Sequence, residues 1–469
     1  MTGSVAIVRR VSAALMVLAL AITGCGTSDA DRPDRRTVSQ AAAYDYQSPP
    51  SARYAPAPRA VTADAQAVVR SLLAGSLDGD ALRRVAASGD ARQAWLLADL
   101  LRFVQTEGEE RAIVDAFARL TGRDPHEDPA FGDSAWSSVT NHLIAWDTPA
   151  PPGYVAVKAM LFTAIEPGWR AFFADRDADI DWRLVSWGGV PIDARPAGAT
   201  APCPRGCIPA LDDPKLTSAR EGGSYRDDAI VFGVVVGGQA VAFPRNIMEV
   251  HEMVNVTIGG RRLGIPYCTL CASAQAYFTD RLPGGRLPAV LRTSGLLSRS
   301  NKVMYELRTR SVLDTFTGRA LSGPLRDAGV TLRQTSVVAS SWGAWKRAHP
   351  GTRIVARDGG IGREYAADPL RGRDDDGPIF PIGPADPRLP VQERVIGVIA
   401  RDGTPVAFSS DRARAALADD RGVALRGVRL LADGSGLRAV DPDGRALVAH
   451  EAFWFAWSQF HAGTAVWIP

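Results

Sequence analysis

The chain reads as an α+β protein, with an N-terminal all-α helical domain followed by a larger β-rich domain, and three observations carry that reading. Apolar residues recur at helical spacing from about residue 61 to residue 175. A Pro/Gly-rich stretch, "WGGVPIDARPAGATAPCPRGCIPALDDP" at 187–214, then breaks the periodicity. Beyond it, β-branched residues alternate around Gly-Gly pairs, as they do in hairpins.

Residues 1–25 come first in the chain and are read as a lipoprotein signal peptide. Arg9 and Arg10 precede an apolar run from Val11 to Ile22, which is too short for a permanent bilayer span. The end of that run, Ile22-Thr23-Gly24-Cys25, looks like the lipobox of bacterial lipoproteins, in which the cysteine becomes the lipidated first residue. The alternative is ordinary cleavage near Gly24, which leaves Cys25 free. Two or three acyl chains, at about 0.8 kcal/mol per buried CH₂, hold a protein on a membrane where one does not. The expected location is therefore the outer face of the cell membrane. Residues 26–60 are rich in Pro, Ser, Ala and charge without apolar periodicity, and are read as a disordered tether.

The helical domain is placed at 61–190. In "ADAQAVVRSLLAG", Val68, Val69, Leu72 and Leu73 share a face; in "ERAIVDAFARL", Ile113, Val114, Phe117 and Leu120 do. "ARQAWLLADLLRFV" is apolar around most of its circumference and is expected to lie centrally, with Asp90 as the N-cap before it. No fixed period runs through these helices, so an irregular bundle is expected, not a solenoid.

The β-rich domain is placed at 203–469. Gly237-Gly238 and Gly259-Gly260 mark two hairpins. "VFGVVVGGQAVAF" at 231–243 is echoed by "VIGVIARDGTPVAF" at 395–408, which suggests an internally duplicated β unit. The aromatic run "FWFAWSQFHAGTAVW" reads as core strand, with Trp454 and Trp457 on opposite faces if extended.

Several of these stretches together resemble a bacterial family, domain of unknown function 3179. They are "IPALDDP" (208–214), "VHEMVN" (250–255), "YCTLCASA" (267–274), "SGLL" with "VMYE" (294–306) and "FWFAWSQFH" (453–461). The resemblance runs from about Cys207 to Pro469. It implies a functional pattern of Cys268 and Cys271 after a strand, His251 and Glu252 upstream, and His461 near the C-terminus. The chain departs from the pattern at Thr269 and Ala272, where relatives tend to have Pro and Gly, at Ala462, and at 311–318, which lacks the usual tryptophan.

Chemistry is sought at sulfur because cysteine is scarce, five in 469 residues. In an oxidising compartment, Cys203 with Cys207 and Cys268 with Cys271 can each form a local disulfide. A Cys-x-x-Cys loop is too small to gain much stability by closure, which favours reactivity as its purpose. In the redox reading Cys268 lies at the start of a helix beginning in "CASAQAYF" and is activated by its dipole, Cys271 resolves, and His251 or Glu252 moves the proton. In the metal reading Cys268 and Cys271 join His251, His461 or the Cys203/Cys207 pair around zinc or copper, which suit sulfur and imidazole.

Other classes are set aside. A net charge of +3 without basic blocks does not suit nucleic acid. "HEMVN" lacks the second histidine of a zinc protease, and the acidic runs at 175–182 and 373–378 lack the glycine and distal glutamate of a calcium loop. No P-loop, dinucleotide fingerprint or nucleophile elbow occurs. Two classes remain. One is a thiol redox or metal-handling protein with a redox or metal-delivery partner; the other is a surface binding module whose cysteines only staple loops.

Overall fold

The computed structural model describes Tyr46 and residues 59–125, 134–283, 287–372 and 377–469. The expected signal peptide with Cys25, nearly all of the expected tether and residues 373–376 lie outside the described residues. The chain divides into two compact units, and no described helix is long and apolar enough to cross a membrane.

The first unit is helical. Asp90 caps the 3-10 turn Ala91–Gln93 by accepting from the Arg92 amide, and the helix Ala94–Leu101 that follows is buried at every residue. All-round burial matches its all-round apolar sequence. The one acid on that helix, Asp99, meets Lys158 at 2.7 Å and the Tyr154 hydroxyl at 2.8 Å, so the buried charge is paired. Helix Glu107–Thr121 carries Thr106 as N-cap, three glutamates in its first turn and Gly122 in the left-handed region after it, which satisfies both poles of its dipole. The helical domain was placed at 61–190, but the unit also takes in Phe380–Ala385 from within the expected β-rich domain. Asn141 accepts from the Ile382 and Gly383 amides, and Phe380 sets its edge on Trp136. Segment 175–180 clusters with the second unit instead.

The second unit holds small sheets. Strands Ile230–Val236 and Gln239–Pro244 pair around Gly237 and Gly238, both at positive φ, which the hairpin turn requires. Met253–Ile258 and Arg261–Cys268 repeat the arrangement around Gly259 and Gly260.

Two sheets are built alike. In one, Val338–Ser341, Ile230–Val236, Gln239–Pro244 and Arg353–Val355 lie side by side, with Leu216–Ser218 beyond; in the other, Ala449–Phe453, Arg394–Ile399, Pro405–Ser409 and Ala465–Trp467 do. The pairings run antiparallel, antiparallel, parallel in both. Each is crossed by a short helix, Trp342–Ala348 or Trp454–Phe460. Trp345 lies on Gly233 and Trp457 on Gly397, so closely that an added Cβ would sit 2.3 or 2.1 Å from the indole. The indole Nε1 donates to Thr352 in one sheet and Thr464 in the other.

The aromatic run at the C-terminus is thus corrected. Strand ends at Phe453, and Trp454–Phe460 is helix, burying Trp454 and Trp457 together. The two tryptophans stand three apart, which is helical spacing; the aromatic composition, not the period, had suggested a strand.

Candidate functional site

Cys268 ends strand Arg261–Cys268, Thr269–Cys271 is a single 3-10 turn, and Ser273–Ala274 returns antiparallel, pairing Ser273 with Cys268. The helix expected in "CASAQAYF" is absent: the chain continues as strand Ala276–Phe278. Ala272, at φ +47, reverses the chain here, so the helix-dipole argument for a Cys268 thiolate falls. Cys268 and Cys271 form a disulfide and both are buried.

Their surroundings are polar. The Thr269 hydroxyl, between the two cysteines, donates to Glu252 at 3.1 Å, and the buried Lys302 ammonium donates to the other carboxylate oxygen at 2.8 Å. Burial lowers the Lys302 pKa, while Glu252 opposes the shift. The Ser300 carbonyl lies 3.8 Å from the Cys271 sulfur. Ser273 Oγ, both amide atoms of Gln275, Ser300 Oγ and Asn301 Oδ1 are buried without a hydrogen-bond partner. Well-packed proteins keep such atoms few; Ser273 and Gln275 follow the cysteine turn, and Ser300 and Asn301 belong to the hairpin turn whose Ser300 carbonyl meets Cys271.

Glu252 reaches the cysteine turn because it caps helix Arg245–His251 in the left-handed region, at φ +50. That reversal separates it from its neighbour. His251 is bound to the Pro209 carbonyl through Nδ1 and to the Tyr365 hydroxyl through Nε2, both at 2.6 Å. A carbonyl only accepts, so Nδ1 carries the proton and Nε2 accepts from Tyr365. Burial pushes the His251 pKa down to about 4. His251 therefore stands by the loop of the other cysteine pair, since its partner Pro209 is two residues from Cys207.

Cys203 and Cys207 form a second, half-exposed disulfide. Their sulfurs and Asp193 are the one group of three metal-ligating side chains within 4.8 Å among the described residues. The donor set fits a metal poorly, since Asp193 already binds Arg195 through both oxygens and accepts from the Ala210 amide. His461 stacks on Trp457 at 4.0 Å, beside the buried His450, whose Nε2 has no partner. The structure thus brings Glu252 to Cys268 and Cys271, takes His251 to Tyr365 and Pro209, and sets His461 with His450.

The sequence profile described as "Protein of unknown function (DUF3179)" matches residues 205–464, more than half of the chain. The chain belongs to the DUF3179 family. No curated protein and no solved structure matches it. In this DUF3179 protein the matched region holds Cys268, Cys271, His251, Glu252 and His461, whereas Cys203 falls just before it. Lys302 and Tyr365 escaped the sequence reading. Each is distant in sequence from the residue it contacts, and a lone Lys or Tyr carries no spacing signal.

Proposed function

We propose that this DUF3179 protein is an extracytoplasmic lipoprotein, anchored through Cys25, whose Cys268–Cys271 couple is a thiol redox centre. What supports this most is the polar setting of the pair, with the Glu252–Lys302 ion pair accepting from Thr269, the residue next to Cys268 in the cysteine turn. Closing so short a loop contributes roughly 2 kcal/mol through chain entropy. Burying unpaired polar atoms beside it costs a comparable amount or more, so stability alone is a poor reason for the arrangement.

In the reaction, a thiolate of a small dithiol reductant attacks Cys268, which is 2% exposed against 0% for Cys271. The Cys268–Cys271 bond breaks and a mixed disulfide forms. The reductant's second thiol then displaces Cys268, leaving the reductant oxidised and two protons and two electrons on the protein dithiol. Once reduced, the two thiolates also offer soft donors to zinc or copper. His251 would have to give up Tyr365 or Pro209 to join them.

The burial of both sulfurs favours a second reading: a surface binding module with structural disulfides, its two like-built sheets descended from one duplicated unit. Equilibration of folded protein in graded dithiothreitol buffers, followed by alkylation and mass spectrometry of the 268–271 peptide, separates the two. A midpoint between about −120 and −270 mV is that of an exchange centre; a bond persisting below about −300 mV is a staple. Metal analysis of the reduced protein tests zinc or copper retention.

A further inference from the structure

The half-exposed Cys203–Cys207 disulfide adjoins a cavity of about 320 Å³ in the second unit. Residues 199–202 line it without a break, Cys203 follows directly, and Pro209 and Ala210 line it after the disulfide loop. A cavity of this size accepts a small organic molecule. The loop does not rest on its sulfur bond alone. The Arg195 guanidinium donates to the carbonyls of Ala199 and Ala201 before the disulfide and to that of Ala210 after it, and Asp193 accepts from the Ala210 amide. Both ends of the loop therefore stay in place when the bond opens, which lets it close again.

The charges suit an anion. An oxygen of Asp193 lies within 4.8 Å of both sulfurs, but Arg195 neutralises that buried carboxylate through both oxygens, at 2.7 and 3.0 Å. His251, in the wall, has both ring nitrogens committed to Pro209 and Tyr365. No carboxylate lines the cavity. Arg363 lines it, is exposed, and has no carboxylate within ion-pair distance among the described residues. Its charge reaches the wall, since it disfavours a proton on His251.

We infer that Cys203–Cys207 is a surface exchange site for small thiols that carry a carboxylate. The body of the thiol occupies the cavity, its carboxylate beside Arg363. Its thiolate attacks the Cys203 sulfur, the Cys203–Cys207 bond breaks, and the Cys207 thiolate takes a proton from water. A second molecule of the thiol attacks the sulfur of the first, releasing the two as their disulfide and leaving Cys203 as a thiol. Two electrons and two protons have then passed to the protein. Cys268 and Cys271, 2% and 0% exposed, take no part, so this exchange holds or fails independently of theirs.

Incubation of the folded full chain with mercaptoacetate, quenched at intervals by alkylation and read by mass spectrometry of the two cysteine peptides, tests this. The 203–207 pair should open roughly tenfold or more faster than the 268–271 pair. Arg363→Gln should slow its opening by mercaptoacetate roughly threefold without slowing its opening by the cationic thiol cysteamine, and about 0.5 M salt should erase the effect. Thermal melts confirm that the variant is folded. A 203–207 bond that opens no faster than 268–271, or an Arg363→Gln variant that reacts with mercaptoacetate as the parent does, overturns the inference.

Discussion

His251, His450 and His461 are held neutral by burial, which pushes their pKa values down to about 4, 3 and 4. His450 is lowered further by His461, and Arg363 and Arg195 act on His251 in the same direction while Asp193 opposes them. Each folded value lies below the ordinary 6.5, so as pH falls the unfolded chain takes up protons first. The contribution of these residues is complete above about pH 6.5 and is lost toward pH 4, at about 1.4 kcal/mol per pH unit for each fully buried histidine. The urea midpoint should fall between pH 7.5 and 5, and His450→Leu should make that fall shallower. The Glu252–Lys302 pair is decided at the same scale. Lys302→Met leaves a largely buried carboxylate unpaired and should cost roughly 3–5 kcal/mol, much of it regained in the double variant with Glu252→Gln, as read from denaturant curves. Glu252 and the cysteines were legible in sequence because they sit in short motifs. Their partner Lys302 was not, because 50 residues separate it from Glu252 and only the packing of two different sheets brings them together.

The two like-built sheets put their demands on glycine. At Gly233 and Gly397 an added methyl would run into Trp345 or Trp457, so alanine at either should destabilise by roughly 1–3 kcal/mol, and thermal melts should show similar losses at both. Ala272 is the opposite case. It holds φ +47 at the cysteine turn, where a side chain costs roughly 1 kcal/mol, so Ala272→Gly should raise the melting temperature. Gly-Gly hairpins were readable because positive φ at two successive residues leaves few other choices. The turn after Cys271 was not, since alanine favours helix by propensity and strand pairing overrode it here.

At the scale of the whole chain, the helical unit is discontinuous. A fragment spanning 59–190 loses Phe380 from Trp136 and the two amides bound by Asn141. It should melt lower than the same fragment supplied with a peptide of residues 377–387, and titration of that peptide followed by circular dichroism checks it. Helical periodicity located the bundle, but nothing in residues 380–385 announces that they return to it.

The sequence by itself determined the order of helical and β-rich parts, the hairpins and the family, because these rest on local periodicity, turn chemistry and contiguous motifs. The tertiary structure alone decided the company each reactive residue keeps. A single left-handed residue, Glu252, sends its own carboxylate to Thr269 in the cysteine turn while His251 faces Tyr365. That separation depends on backbone direction and on strands far apart in the chain, which no spacing along it encodes.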